Sequence, residues 1–140
     1  MIYYAKLEKQ AGTYLVEFPE LEGCFTEGKT KKQALENAKQ ALDGWLASNC
    51  DRNLNIPEAK SRSSKNYYPV EVDLRVTFAI LLRRARKKRK LSQAAVAKQL
   101  GITQQAYAKL EAPQRTNPSL LTIQKLSQAL DVDFELNLVA

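Results

Sequence analysis

The sequence has no histidine and only two cysteines, Cys24 and Cys50. Without histidine the commonest general acid and base is missing. With no histidine and two cysteines at no metal-like spacing, a zinc site has no ligand set. We therefore expect no catalytic residue, no metal, no cofactor and no enzyme. No apolar run approaches the ~18 residues needed to cross a bilayer. The opening residues Met1-Ile2-Tyr3-Tyr4 lack the charged-then-apolar layout of a signal peptide. Free thiols without an export signal fit a reducing compartment, so the cytoplasm is the expected location. Acidic residues are scarce in the second half. Residues 74–140 hold 12 Lys and Arg against 4 Asp and Glu, a net of +8, whereas residues 1–73 hold 10 against 11, a net of −1. A neutral front and a basic back point to two modules, the second meeting a polyanion. Each module is small enough that its core is modest, which favours a partner or a second copy.

The front module reads as strands followed by a helix. Ile2 to Glu8 is rich in β-formers, Gln10-Ala11-Gly12 is a turn, and Thr13 to Phe18 is a second strand, together a hairpin. Pro19 ends it, and a loop follows with a short strand at Cys24-Phe25-Thr26. Thr30 then stands as a helix N-cap with Gln33 three residues on, the spacing of a capping box. Apolar residues at 34, 35, 38, 41, 42, 45 and 46 make one stripe at helical spacing, so an amphipathic helix is expected over about 31–49. From about 51 to 69 the pattern dissolves into a linker with Pro57, Pro69 and Ser61-Arg62-Ser63-Ser64. Tyr68 to Val72 returns as a last strand. The order β-β-β-α-β is an α+β layer spanning 1–73.

The back module, 74–140, is helical. A helix is expected from Leu74 to Lys90, ending in the basic run Arg83, Arg84, Arg86, Lys87, Lys88, Arg89, Lys90. That run is either a solvated helix end, where cations suit the dipole, or a set of phosphate contacts that position without specifying. Ser92 caps a short helix of about 93–99, Gly101 stops it, and Thr103 caps another of about 104–111. Ser119 caps a further helix reaching about Leu130, and Phe134 to Val139 alternates as a closing strand. Two short helices at a tight turn need small and branched apolar contacts, which Val96, Ala97, Leu100, Ile102, Tyr107 and Leu110 supply. The second helix of such a pair offers its first turn to the major groove. Thr103, Gln104 and Gln105 suit that position, because a Gln amide can pair with adenine in a bidentate way. Lys109, one turn on, reaches a base or a phosphate; Arg86 and Lys87 are candidate phosphate contacts.

The window from Leu91 to Glu111 resembles the helix-turn-helix of the Cro/phage-repressor (XRE) type. Ser92-Gln93 opens its first helix, Ala97 and Gly101 fill the small-residue and turn positions, and Glu111 closes the recognition helix; Ala112 stands where the family often has Gly. The resemblance implies that Gln93 contacts a backbone phosphate and braces the recognition helix. Operator double-stranded DNA is then the expected partner, bound by a homodimer or higher oligomer. The closing strand at 133–139 is a candidate dimer element, since an unpaired edge invites its twin.

The segment from Phe18-Pro19-Glu20-Leu21-Glu22-Gly23-Cys24-Phe25-Thr26-Glu27-Gly28 to Ala34-Leu35-Glu36-Asn37-Ala38 resembles the HicB antitoxin family, whose hallmark is F-P-[DE]-[LV]-x-G-C-x-[ST]-x-G followed by a helix with A-L-x-x-A. The resemblance implies a partial RNase H-like fold for the front module. It further implies neutralisation of a small mRNA-cleaving HicA-type toxin, and repression of the protein's own operon. Phe18, Pro19, Leu21, Cys24 and Phe25 are either core closure or a toxin-facing surface, with Cys24 read as a small buried hydrophobe rather than a reactive thiol. A stand-alone regulator with a small-molecule-sensing front module is the alternative. A ribonuclease would need clustered carboxylates around two metals; Glu8, Glu36 and Asp43 are the only candidates, and no Asp stands mid-strand.

Overall fold

Ala11 and Gly12 both take positive φ, 50° and 79°, and reverse the chain between β1 (Ile2–Gln10) and β2 (Thr13–Glu17). Two such residues in a two-residue loop match the twist of the strands they join. The computed structural model describes all of residues 1–140, and the chain divides into two compact units, Met1–Thr77 and Phe78–Ala140. In the first unit β3 (Phe25–Gly28) and β4 (Tyr67–Glu71) complete an antiparallel sheet of order β3-β2-β1-β4. Helix α1 (Lys31–Asp51) packs on one face of it. Period-two alternation sends Tyr3, Ala5 and Leu7 of β1, Val16 of β2 and Val70 of β4 into the core, where they meet Ala34, Ala38, Leu42 and Leu46 of α1. Lys6, Glu8, Leu15 and Glu17 alternate onto the opposite face. The N-cap at Thr30 forms as expected, its side chain accepting from the Gln33 N–H at 3.1 Å. Gln33 reaches back to the N–H of Lys29 at 2.9 Å, one residue earlier than a reciprocal box requires. The irregular stretch between α1 and β4 is pinned: Ile56 is buried, and the Tyr3 hydroxyl donates to the Pro57 carbonyl at 2.6 Å.

The α+β class and the expected element order hold, with one exception. Helix α2 (Leu74–Lys88) runs across the division between the units and is followed by α3 (Gln93–Leu100), α4 (Gln104–Leu110) and α5 (Leu120–Leu130). Ser92, Thr103 and Ser119 cap the last three, each accepting from the N–H three residues on. Gly101 ends α3 at φ 69°, the left-handed conformation glycine allows. Leu82, Val96, Ala97, Tyr107, Leu126 and Leu130 form the core of this unit, flanked by Leu91, Leu100 and Leu110. Ile102, expected in that contact set, is 38% exposed at the turn. The closing strand expected at 134–139 is not formed: residues 132–140 carry no regular secondary structure. A strand exists only when paired, and a helical unit has no sheet edge to pair with. No helix is long and apolar enough to cross a membrane.

Gly28, at the end of β3, lies against the first turn of α1. A Cβ there would fall 2.4 Å from the backbone nitrogen of Ala34 and 2.7 Å from its Cα. Backbone cannot swing aside as a side chain does, so the helix would have to lift from the sheet. Gly28→Ala is therefore expected to destabilise the chain by about 1–3 kcal/mol, read as a lower urea midpoint. Gly44→Ala is the control, because nothing lies within 4 Å of the added carbon at that position.

Candidate nucleic-acid interface

Helix α4 presents two faces because only one of them packs. Tyr107 is fully buried and Leu110 half-buried against α3, whereas Thr103, Gln104, Gln105 and Lys109 are exposed. Gln105 and Lys109 are four residues apart and share a face one turn long. The Thr103 hydroxyl accepts from the Ala106 N–H at 3.1 Å, which fixes the start of the helix. All four residues expected to meet DNA at this helix are exposed to solvent. The α4–α5 connection needs no glycine after Glu111. The helix ends there at φ −91°, and turns close it through Ala112 N–H to the Lys109 carbonyl and Thr116 N–H to the Ala112 carbonyl.

Behind that surface lies a buried charge network that spacing alone did not reveal. The Glu111 carboxylate, 3% exposed, receives Arg86 through two parallel bonds, Nε to Oε1 at 2.6 Å and Nη2 to Oε2 at 3.0 Å. Arg86 also donates from Nη1 to the Leu91 carbonyl at 2.8 Å. The Tyr107 hydroxyl donates to Oε1 at 2.7 Å and Gln93 Nε2 to Oε2 at 3.0 Å. Arg86 is a candidate phosphate contact in the sequence; the structure corrects this, since the residue is 8% exposed and its guanidinium is committed to Glu111. Arg83 is likewise buried, whereas Lys87, Lys88, Arg89 and Lys90 remain exposed. Arg89 makes a surface pair with Asp131 at 3.3 Å. Gln93 does brace the end of α4, and its amide nitrogen has a second N–H to give. Tyr107 and Glu111 stand at the i, i+4 spacing of helix neighbours, a legible signal; the Arg86 partner, 25 residues away, was not legible.

In the first unit, the apolar loop between β2 and β3 turns inward. Phe18, Leu21 and Cys24 are 2%, 1% and 4% exposed, which assigns them to the core rather than to a surface for a partner. The loop closes on itself through Leu21 N–H to the Phe18 carbonyl and Cys24 N–H to the Leu21 carbonyl. Trp45 of α1 holds its tip by donating to the Glu22 carbonyl at 3.0 Å. Burial pushes the Cys24 thiol up to about 11, consistent with an inert side chain. Pro19 and Phe25 stay outside, Phe25 at 72% exposure. The three carboxylates considered for catalysis do not converge. Glu8 lies on the sheet face away from α1, Glu36 is exposed on that helix, and Asp43 accepts the Asp73 N–H at 2.8 Å and pairs with Lys39. No group of three or more Cys, Asp or Glu is placed to hold a metal ion.

The chain is thus a four-stranded sheet backed by one helix, followed by a capped helix-turn-helix. The family model of the HicB-like antitoxin of bacterial toxin-antitoxin systems matches residues 3–86, and a helix-turn-helix model matches 82–137. The chain belongs to the HicB-like antitoxin family and carries a helix-turn-helix domain. It is 29% identical over 131 residues to Antitoxin HicB 1 of Photorhabdus laumondii, covering 93% of this chain and 82% of that one. It is 50% identical over 46 residues to a UPF0150 protein of Thermoplasma acidophilum, covering 33% of this chain and 67% of that one. Among solved structures, the Burkholderia pseudomallei antitoxin HicB aligns with a TM-score of 0.46 at 16% identity, covering 72% of this chain and 96% of that one.

Burial works to raise the pKa of Glu111, but bonds from Arg86, Gln93 and Tyr107 and the Arg86 charge outweigh it and hold the carboxyl below its ordinary value of 4.5. A folded-state value below the unfolded one stabilises the fold fully above pH 4.5, and that contribution is lost as pH falls through the folded value. Glu111→Gln is expected to cost about 3–5 kcal/mol at neutral pH, since it strands the Arg86 charge. Thermal melts of wild type and variant at about pH 7 and about pH 3 check this: the gap between them should narrow in acid. An equal gap at both would show that the ionised carboxylate is not its source.

Proposed function

We propose that this chain is the antitoxin of a type II pair, binding and neutralising a small mRNA-cleaving HicA-type toxin and repressing its own operon by binding operator DNA. The observation that carries the regulatory half is the exposed polar turn Thr103-Gln104-Gln105, held rigid from behind by the Glu111 network. Preorganised glutamine amides aimed outward suit adenine edges in the major groove. Lys109 on the same face, with Lys87 at the end of α2, supplies phosphate contact, and the second Gln93 N–H supplies another. Two copies on a palindrome would set their recognition helices about 34 Å apart, one turn of DNA.

The toxin-binding half rests on membership of an antitoxin family. With Phe18, Leu21 and Cys24 inside, the surface for a partner narrows to Phe25, Pro19 and the sheet face around them. There Lys6, Glu8, Leu15, Glu17 and Phe25 line a shallow groove, in which Lys6 pairs with Glu17 at 3.8 Å. A ribonuclease that binds a polyanion is basic, and the apolar Leu15 and Phe25 beside the Glu8 carboxylate suit such a protein.

Gln104→Ala with Gln105→Ala is expected to weaken operator binding by about 2 kcal/mol or more, at ~1–3 kcal/mol per bidentate base contact, while toxin neutralisation is unchanged. A gel-shift series measures the first and a growth assay the second; unchanged operator affinity removes the base-reading role. Phe25→Asp should show the reverse pattern, with DNA binding kept and rescue lost. Expressed with the small reading frame beside its own gene, the chain should relieve that product's growth arrest. Neither a small frame nor relief would favour a regulator that works alone.

A further inference from the structure

A strand at the edge of a sheet leaves a row of N–H and C=O groups without a ladder, and this sheet treats its two edges differently. The Cys24 carbonyl accepts from the Phe18 N–H, so Thr26 and Gly28 also turn their backbone groups toward β2, and those of Phe25 and Glu27 point away from the sheet. At the other edge Tyr67, Pro69 and Glu71 point away, because the residues between them face β1. That second edge is blunted. The Tyr67 N–H is taken by the Ser64 carbonyl at 3.1 Å, Pro69 has no N–H, and the Glu71 carbonyl accepts from the Lys39 ammonium at 2.9 Å. At β3 the Glu27 carbonyl accepts from the Asn37 amide at 2.8 Å. The N–H and C=O of Phe25 and the N–H of Glu27 have no partner in the chain, beside a ring that is 72% exposed.

We propose that the edge of β3 at Phe25 to Glu27 is where an extended segment of a basic protein partner adds to the sheet as a further strand. The side chains beside that edge define the partner's chemistry. Phe25 and Glu27 lie on the face away from α1, opposite Glu17 and Leu15, and Leu15 in turn lies opposite Glu8. The carboxylates of Glu8 and Glu27 are exposed there with no ion pair, whereas Glu17 already has Lys6 at 3.8 Å. An added strand brings alternate side chains to this face. The pattern selected is an apolar residue beside Phe25 and, two residues away, a lysine or arginine beside Glu27. Main-chain bonds supply the strength of such pairing, and the row of side chains supplies the choice of partner.

This mode of binding rests on the toxin-binding reading and names how that partner is held. Its test uses the full chain and the product of the small reading frame beside its gene. Backbone hydrogen exchange of the chain alone should find Phe25 and Glu27 open and Thr26 protected, and on binding the first two should slow by at least ~tenfold. Glu27→Pro removes an outward N–H and leaves the ladder to β2 intact. It should melt with the wild type and bind the product about tenfold more weakly. Glu27→Gln keeps the N–H and should lose less; equal loss from the two substitutions assigns the effect to the carboxylate and overturns main-chain pairing. A complex in which both amides exchange as before, or in which Glu27→Pro binds as tightly as the wild type, overturns strand addition and leaves the toxin-binding reading standing. Amides already protected in the chain alone at high concentration put a second copy on the edge, and overturn it as well. A product that does not bind at all sinks both.

Discussion

One carboxylate organises the helical unit. Glu111 receives donors from three successive helices: Arg86 from α2, Gln93 from the first residue of α3, and Tyr107 from its own helix, α4. A lone carboxylate so buried would be costly, and only the full set of donors makes its burial tolerable. Removing any one leaves a charge or a lone pair stranded in a small core. Apolar residues of matched volume would hold these helices together at least as firmly. What they would not provide is direction. The network ties the end of α4 to α2 and α3 through directional bonds, while Gln104, Gln105 and Lys109 stay exposed on the same helix. It also aims the Gln93 amide at the start of α3.

Much of this was legible because it is local. Thr30, Ser92, Thr103 and Ser119 mark helix starts by the same short-range chemistry, a side-chain oxygen taking an N–H three residues on. Gly101 marks a stop for an equally local reason. The stripes of α1 and the alternation of β1 follow from their periods, and each landed on the buried face. Misreadings arose where a partner was distant in sequence or absent from the chain. Arg86 looked like one more cation in a basic run, since nothing near it announces Glu111, 25 residues on. The closing strand was read from alternation, which records which way side chains would point and not whether a ladder exists to hold them.

The apolar loop carries a related lesson about motifs. Of the residues that make the antitoxin family resemblance visible, Phe18, Leu21 and Cys24 are packed beneath the sheet, and Gly23 takes φ 81° at the loop tip. Gly28 lets α1 approach the backbone. Each has a structural reason to be the residue it is, and none needs a partner to explain it. The hallmark therefore marks a fold, and a fold alone does not fix a function. Phe25 is the exception that locates the boundary: it sits within the motif, and its ring is left in solvent at 72% exposure. It lies beside Lys6, Glu8, Leu15 and Glu17 on the sheet surface and takes little part in the packing of its own unit. Phe25 therefore adds apolar area to the sheet face away from α1, whereas Phe18, Leu21 and Cys24 add theirs to the core behind it.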